Sequence, residues 1–228
     1  MRAMSWLFLL GGLLPLTTQL AVPAAATSPP GDGYVLGDSL GEGVAEVSHL
    51  KGLAHVSVHI RGPRTLEQFA QTPPNATVFL VLGTNDANGT IARLDKSIND
   101  IVQAAEQKNI KLIWLGPPCV RQSWDTRSRD LDLMLQARFA GTAVRYVSMR
   151  DPELCSGSLQ EPDGVHLKTK GYVHMWEKAA AAAGASYALA AAPPTAPTKV
   201  AAARIPLPVP RRPLDTDTPT TGSIARAR

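Results

Sequence analysis

Three short polar segments of this chain carry residue types that could perform nucleophilic chemistry. They are Gly37-Asp38-Ser39-Leu40, Gly83-Thr84-Asn85-Asp86 and Asp163-Gly164-Val165-His166. The first offers a serine hydroxyl, the second an amide side chain, and the third a carboxylate and an imidazole. These groups could serve as nucleophile, oxyanion donor, orienting acid and base. The three segments together predict a serine-dependent acyl-transfer site.

Each member of the predicted catalytic triad has a distinct chemical task. The Ser39 hydroxyl becomes an effective nucleophile only when a neighbouring base removes its proton. His166 is the candidate base, because an imidazole titrates near neutral pH and can both accept and return a proton. Asp163 lies three residues earlier, where its carboxylate can orient the ring and stabilise the imidazolium. We therefore predict Ser39, Asp163 and His166 as the catalytic residues.

A tetrahedral intermediate also needs hydrogen-bond donors directed at its oxyanion. Asn85 offers a side-chain amide, while Ser39 and Gly62 offer backbone N–H groups. Gly62 suits this role because a residue without Cβ lets its backbone approach a substrate closely. Pro63 beside it has no N–H. We predict an oxyanion hole formed by Ser39, Gly62 and Asn85.

The apolar pattern predicts the elements that must position these residues. Strands are expected at Tyr34 to Leu36, Val56 to Ile60, Val78 to Leu82, Leu112 to Leu115 and Val144 to Met149. Helices are expected at Ile91 to Ala105, Asp125 to Phe139 and Thr169 to Ala183. This alternation predicts an α/β fold with a mainly parallel sheet of about five strands. Ligands of such sheets collect beyond the carboxyl ends of the strands, where most of the polar segments lie.

With these residues the chain resembles the SGNH hydrolases, also called the GDSL esterase/lipase family. That family is named for Ser, Gly, Asn and His in four sequence blocks, which correspond here to the segments containing Ser39, Gly62, Asn85 and His166. The run Leu167 to Tyr172 is similar to the family's usual continuation into a final helix. The resemblance implies a flavodoxin-like three-layer α/β/α fold, the triad and oxyanion hole named above, and no metal or other cofactor.

Residues 1–26 have the pattern of a secretory signal peptide. Arg2 supplies a positive charge, Trp6 to Leu16 form an apolar run, and Ala24 to Ala26 offer small residues for cleavage near Ala26. The apolar run is too short to span a bilayer comfortably, so an uncleaved anchor is the weaker alternative. We expect an exported protein, periplasmic or secreted.

The segment 190–228 differs in composition from residues 27–189, which we predict to form the SGNH-like domain. It is rich in Pro and Ala, which predicts disorder. Its charged residues give an excess of four positive charges, equal to the formal net charge of +4 for the whole chain. This basic tail could contact an anionic envelope polymer, or it could be a solvated extension without a partner. No nucleic-acid motif is present, and we expect a monomer.

Cys119 and Cys155 are the two cysteines of the chain. In an exported protein such thiols are oxidised if the fold brings them together, so we predict a disulfide, with two independent thiols as the alternative. Neither cysteine has the spacing of a zinc site. Because Cys155 precedes the segment with Asp163 and His166, a bridge would hold that loop near the nucleophile.

Little sequence is inserted between the polar segments, which predicts an open, shallow site without a large lid. Together with export and the basic tail, this favours cleavage of acyl or acetyl esters on a cell-envelope glycan, such as O-acetylated polysaccharide or peptidoglycan, or of a small ester. A peptidoglycan amidase or peptidase and an O-acyltransferase could use the same triad. A non-catalytic glycan-binding module is the remaining alternative.

Overall fold

The computed structural model describes residues 32–184, 186 and 187. The predicted signal peptide, residues 1–26, and the predicted basic tail, residues 190–228, lie outside the described residues. The predicted domain boundaries, at residues 27 and 189, also lie outside them. No helix within the described ranges is long and apolar enough to cross a membrane.

Five strands form one sheet, and every neighbouring pair is parallel. The strands are β1 (Gly33–Gly37), β2 (Lys51–Gly52), β3 (Thr77–Val81), β4 (Lys111–Leu115) and β5 (Arg145–Val147). Their order, β2-β1-β3-β4-β5, is that of flavodoxin-like sheets. The order reverses between β1 and β3, so a ligand crevice is expected at the carboxyl ends of these two strands.

Helices cover both faces of the sheet. They are α1 (Ser39–Ser48), α2 (Pro63–Gln71), α3 (Thr84–Asn88), α4 (Asp95–Gln107), α5 (Asp125–Phe139), α6 (Pro152–Cys155) and α7 (Thr169–Ala183). One buried cluster joins the sheet to α1 and α7, and the other joins it to α2, α4 and α5. The structure therefore confirms the predicted three-layer α/β/α architecture.

The central strand β3 is buried along its whole length. Successive side chains of a strand point to opposite faces, so Phe79 joins the α1/α7 cluster while Val78 and Leu80 join the other. Burial on both faces explains why this strand is a continuous apolar run. The predicted helices at Asp125–Phe139 and Thr169–Ala183 are confirmed at both ends.

The predicted strand from Val56 to Ile60 is wrong. Val58 and Ile60 are buried, as the alternating pattern required, but Val56 is exposed, and the segment is a loop that crosses the carboxyl end of the sheet. Side chains replace the strand ladder: the Val58 carbonyl accepts a hydrogen bond from Asn85 Nδ2 at 2.9 Å, and the Ile60 N–H donates to Asp86 Oδ2 at 2.8 Å. The edge strand is instead the two-residue β2.

Two predicted elements are shorter than expected. Helix α4 begins at Asp95 instead of Ile91. Arg93 has a φ of 58°, a left-handed conformation that a continuous α-helix cannot contain. The fifth strand covers only Arg145–Val147, the three residues that pair with β4. Neither difference moves a predicted site residue.

Candidate active site

The turn from β1 into α1 presents Ser39 as the first residue of the helix. Asp38 caps the helix, since its Oδ1 accepts a hydrogen bond from the Leu40 N–H at 3.0 Å. Gly37 has a φ of 119°, and a Cβ at this position would lie 1.8 Å from the Val81 carbonyl oxygen. Only glycine fits this turn, which places the serine hydroxyl at the carboxyl end of the sheet.

Gln68 of α2 holds this turn from the other side. Its Oε1 accepts a hydrogen bond from the Gly37 N–H at 2.9 Å, and its Nε2 donates to the Gly37 carbonyl at 3.0 Å. The His55 N–H donates to the same carbonyl at 3.0 Å. Gln68 was not predicted from the sequence. Its one local signal is a buried amide on the apolar face of α2, beside Phe69.

The three predicted catalytic residues form a continuous hydrogen-bonded series. His166 Nε2 lies 2.9 Å from Ser39 Oγ, and His166 Nδ1 lies 2.6 Å from Asp163 Oδ2. With its proton on Nδ1, the ring donates to the carboxylate and directs the Nε2 lone pair at the serine hydroxyl. This arrangement can remove the Ser39 proton as the oxygen attacks a carbonyl carbon.

The Asp163 carboxylate also shapes its own loop. Its Oδ1 accepts hydrogen bonds from the Val165 N–H at 2.8 Å and the His166 N–H at 3.0 Å. Partial burial acts to raise the pKa of this carboxyl, but the hydrogen bonds from the His166 ring and the two N–H groups outweigh it and hold the pKa below its ordinary value. Asp163 is therefore ionised at neutral pH, as an orienting carboxylate must be.

The segment after β4 holds the loop that carries Asp163. Gln122 Nε2 donates a hydrogen bond to the Asp163 carbonyl at 2.6 Å, and the Arg121 N–H donates to the Gly164 carbonyl at 2.8 Å. Gly164 has a φ of 70°, and a Cβ there would lie 2.9 Å from Arg121 Cβ. Arg121 and Gln122 were not predicted from the sequence, because nothing in their local pattern indicates a contact about 40 residues away.

Cys119 and Cys155 form a disulfide, with their Cα atoms 5.0 Å apart. This confirms the predicted bridge. Gln160 Nε2 donates to the Cys119 carbonyl at 2.6 Å, and Gln160 Oε1 accepts from Arg121 Nε at 2.8 Å. The bridge and these two hydrogen bonds join the segment after β4 to the loop that leads to Asp163.

Replacing both Cys119 and Cys155 by serine should lower the free energy of unfolding by about 2–4 kcal/mol, because the bridge closes a loop of intermediate length. The acid-base loop should also be held less firmly, so kcat should fall more than KM rises. Denaturant unfolding and steady-state kinetics, each compared with wild type without reductant, test this expectation. Unchanged stability and kcat in the double variant would contradict it.

The predicted oxyanion donors lie on two further loops. Asn85 is in the first turn of α3, and its Nδ2 donates one hydrogen bond to the Val58 carbonyl, which leaves its second N–H for another acceptor. Gly62 is the N-cap of α2 and has a φ of 115°. A Cβ on Gly62 would have no atom of the described residues within 4 Å, so its positive φ, and not crowding, accounts for the glycine. The oxyanion roles of these residues stay predictions.

A close contact between α1 and α7 joins the two halves of the site. A Cβ on Gly43 would lie 2.4 Å from the Tyr172 ring. The Tyr172 hydroxyl accepts a hydrogen bond from the Leu167 N–H at 3.4 Å. Since α1 begins at Ser39 and Leu167 follows His166, this contact aligns the nucleophile with the base.

At the level of sequence, no family model and no curated protein matches the chain. Its fold is similar to a member of the lipolytic protein G-D-S-L family from Veillonella parvula DSM 2008, with a TM-score of 0.54 at 17% identity over 64% of this chain and 94% of that chain. A second similar structure, assigned to the lipolytic G-D-S-L family, is from Desulfitobacterium hafniense DCB-2. Its TM-score is 0.53 at 16% identity over 66% of this chain and 98% of that one. The chain has the SGNH-hydrolase fold.

Within this SGNH fold, Asp38 is an unusual carboxyl. It is fully buried, and its Oδ2 has no hydrogen-bond partner among the described residues. Burial, opposed by the Leu40 N–H hydrogen bond and reinforced by the Asp86 carboxylate, raises the pKa of Asp38 to about 7. A carboxyl that changes charge near neutral pH therefore lies next to the nucleophile.

Replacing Asp38 by asparagine should make stability less dependent on pH. The folded-state pKa of about 7 lies above the ordinary value of 3.8, so the folded state retains a proton that the unfolded chain loses. Stability is therefore lost as pH rises through this window, by at most about 4 kcal/mol. Asparagine keeps the capping oxygen but cannot ionise.

Urea unfolding of wild type and Asp38→Asn at pH 4.5 and pH 8 measures this effect. The difference in unfolding free energy between the two proteins should shift in favour of the variant at the higher pH. A difference that stays constant between the two pH values would contradict the expectation.

Proposed function

We propose that this chain is an exported serine hydrolase that cleaves ester bonds with Ser39 as its nucleophile. The observation that supports this most directly is the hydrogen-bonded series from Asp163 through His166 to Ser39. Nucleophile, base and orienting acid have the geometry of a working triad without any rearrangement. The SGNH fold, which the chain shares with lipolytic G-D-S-L proteins, agrees with ester chemistry.

In the proposed first step, Ser39 Oγ attacks the ester carbonyl carbon while His166 Nε2 accepts the hydroxyl proton. The carbonyl oxygen becomes an oxyanion, stabilised by the Asn85 amide and the N–H groups of Ser39 and Gly62. The intermediate then expels the alcohol, which takes the proton from His166 and leaves an acyl group on Ser39. A water molecule then attacks the acyl carbonyl carbon and gives a proton to His166. The carboxylic acid leaves, and Ser39 Oγ takes the proton back from His166.

We propose as substrate an acyl or acetyl ester on a cell-envelope glycan, or a small ester. The predicted signal peptide supports a periplasmic or secreted location, and the short loops around Ser39 support an open site that can admit a polymer. In this proposal the basic tail contacts an anionic envelope polymer, and the protein acts as a monomer without nucleic acid or cofactor.

Covalent labelling tests the nucleophile. The purified protein is treated with a fluorophosphonate, and the modified peptide is identified by mass spectrometry. Stoichiometric labelling of Ser39 is the expected result. Labelling at another serine would overturn the assignment.

Substrate assays test the reaction. Acetate release from O-acetylated glycans and hydrolysis of short-chain p-nitrophenyl esters are expected. Preference for long-chain esters without acetate release would favour a lipase instead. Cleaved stem peptides in a muropeptide profile would favour a peptidase, and acyl transfer to an added sugar would favour an acyltransferase.

A further inference from the structure

A pocket of about 320 Å³ lies between α2 and the segment that follows β2. Two of its lining residues form hydrogen bonds with residues of the proposed catalytic centre. Gln68 holds Gly37, two residues before Ser39, and the Val58 carbonyl accepts the Asn85 amide. The pocket therefore adjoins both the nucleophile turn and the proposed oxyanion donor, and its size is within the range of small-molecule sites.

The lining combines apolar side chains with charged side chains that have no partner among the described residues. Leu53 is partly exposed and supplies apolar surface, whereas the Val58 side chain is buried, with 1% of its surface exposed. Arg64 and Glu67 also line the pocket, three residues apart on the exposed side of α2. Neither side chain has a hydrogen bond or ion pair with any other residue of the described region, not even with the other. Their donors and acceptors are free for a ligand, and their opposite charges cancel.

We propose that this pocket binds a neutral sugar ring of the substrate, next to the position that carries the ester. The C–H groups of a sugar ring can pack on Leu53 while its hydroxyls form hydrogen bonds with Arg64 and Glu67. A long acyl chain would instead displace water from these two charged groups. It has no polar atoms to take the place of the hydrogen bonds that the groups form with water. This inference rests on the proposed function, because it assigns the substrate class of that site.

The test compares a sugar ester with an ester that lacks a sugar. The probes are N-acetylated chitotriose that also carries O-acetyl esters, and p-nitrophenyl acetate, assayed with wild type, Glu67→Gln and Arg64→Met. In each variant the ratio of kcat/KM for the sugar ester to kcat/KM for p-nitrophenyl acetate should fall about tenfold, mainly through KM, as expected for one lost hydrogen bond to a charged group. Glu177→Gln, at an exposed position of α7 outside the pocket, is the matched control and should keep the wild-type ratio.

A binding measurement separates this inference from the proposed function. Calorimetric titration of Ser39→Ala with N-acetylated chitotriose that carries no O-acetyl group should detect binding, and adding Glu67→Gln should weaken that binding about tenfold. An unchanged ratio in both pocket variants, or binding that survives Glu67→Gln, would overturn the sugar assignment. Preferential binding of a peptidoglycan stem peptide would overturn it in favour of a peptide. If Ser39→Ala still hydrolyses p-nitrophenyl acetate at the wild-type rate, the proposed function fails whatever the pocket binds.

Discussion

Replacing Ser39 by alanine should lower kcat for p-nitrophenyl acetate by about 10⁴-fold or more. Without the hydroxyl, no covalent acyl intermediate can form, and His166 loses the proton donor 2.9 Å from its Nε2. Only the proposed oxyanion donors and substrate positioning would remain to accelerate hydrolysis. The fold should be unaffected, because the helix cap is supplied by Asp38 and not by the serine side chain.

Ser48→Ala is a suitable control for this experiment. Ser48 lies at the other end of the same helix, and its hydroxyl bonds only to neighbouring backbone groups. Activity of this variant should stay close to that of wild type. Near-normal turnover in Ser39→Ala, together with an intact substrate affinity, would instead support the non-catalytic glycan-binding alternative.

Replacing Asp163 by asparagine should lower kcat by about 10⁴-fold. An asparagine amide can donate to His166 Nδ1, which would move the ring proton to Nε2 and remove the lone pair that Ser39 needs. The side-chain oxygen could still accept the backbone N–H groups of Val165 and His166, so the loop should keep its shape. Kinetics on the purified variant, with circular dichroism to confirm folding, measure the effect.

Asp130→Asn provides the matched control, because Asp130 is an exposed carboxylate on α5 that forms an ion pair with its neighbour Arg129. Its turnover should be unchanged. A loss of less than tenfold in Asp163→Asn would mean that the carboxylate does not set the protonation of His166.

The parts of this molecule that could be predicted from sequence are those with a local cause. Strand β3 is a continuous apolar run because it is buried on both faces, and α7 shows helical spacing because only one side of it packs on the sheet. The segment Asp163 to His166 could be predicted as an acid-base pair because the two residues are near neighbours in the chain. Ser39 could be paired with them because its chemistry requires a base.

The remaining features depend on contacts between distant residues. Gln68 forms hydrogen bonds with Gly37, 31 positions away in the chain, and Gln122 forms one with Asp163, 41 positions away. The segment from Val56 to Ile60 was misassigned for the same reason. Val58 and Ile60 are buried as in a strand, but Val56 is exposed, and the backbone forms hydrogen bonds with side chains of α3 that no local pattern could identify.

The 127 positions that separate Ser39 from His166 have a consequence for biogenesis. The hydroxyl is synthesised early, yet it stays unactivated until the ribosome has delivered the imidazole and α7 has docked beside α1. If Ser39 is the nucleophile, as proposed, a nascent or prematurely terminated chain therefore cannot cleave esters. Under the proposed function, turnover then reports that translation and folding of this region are complete.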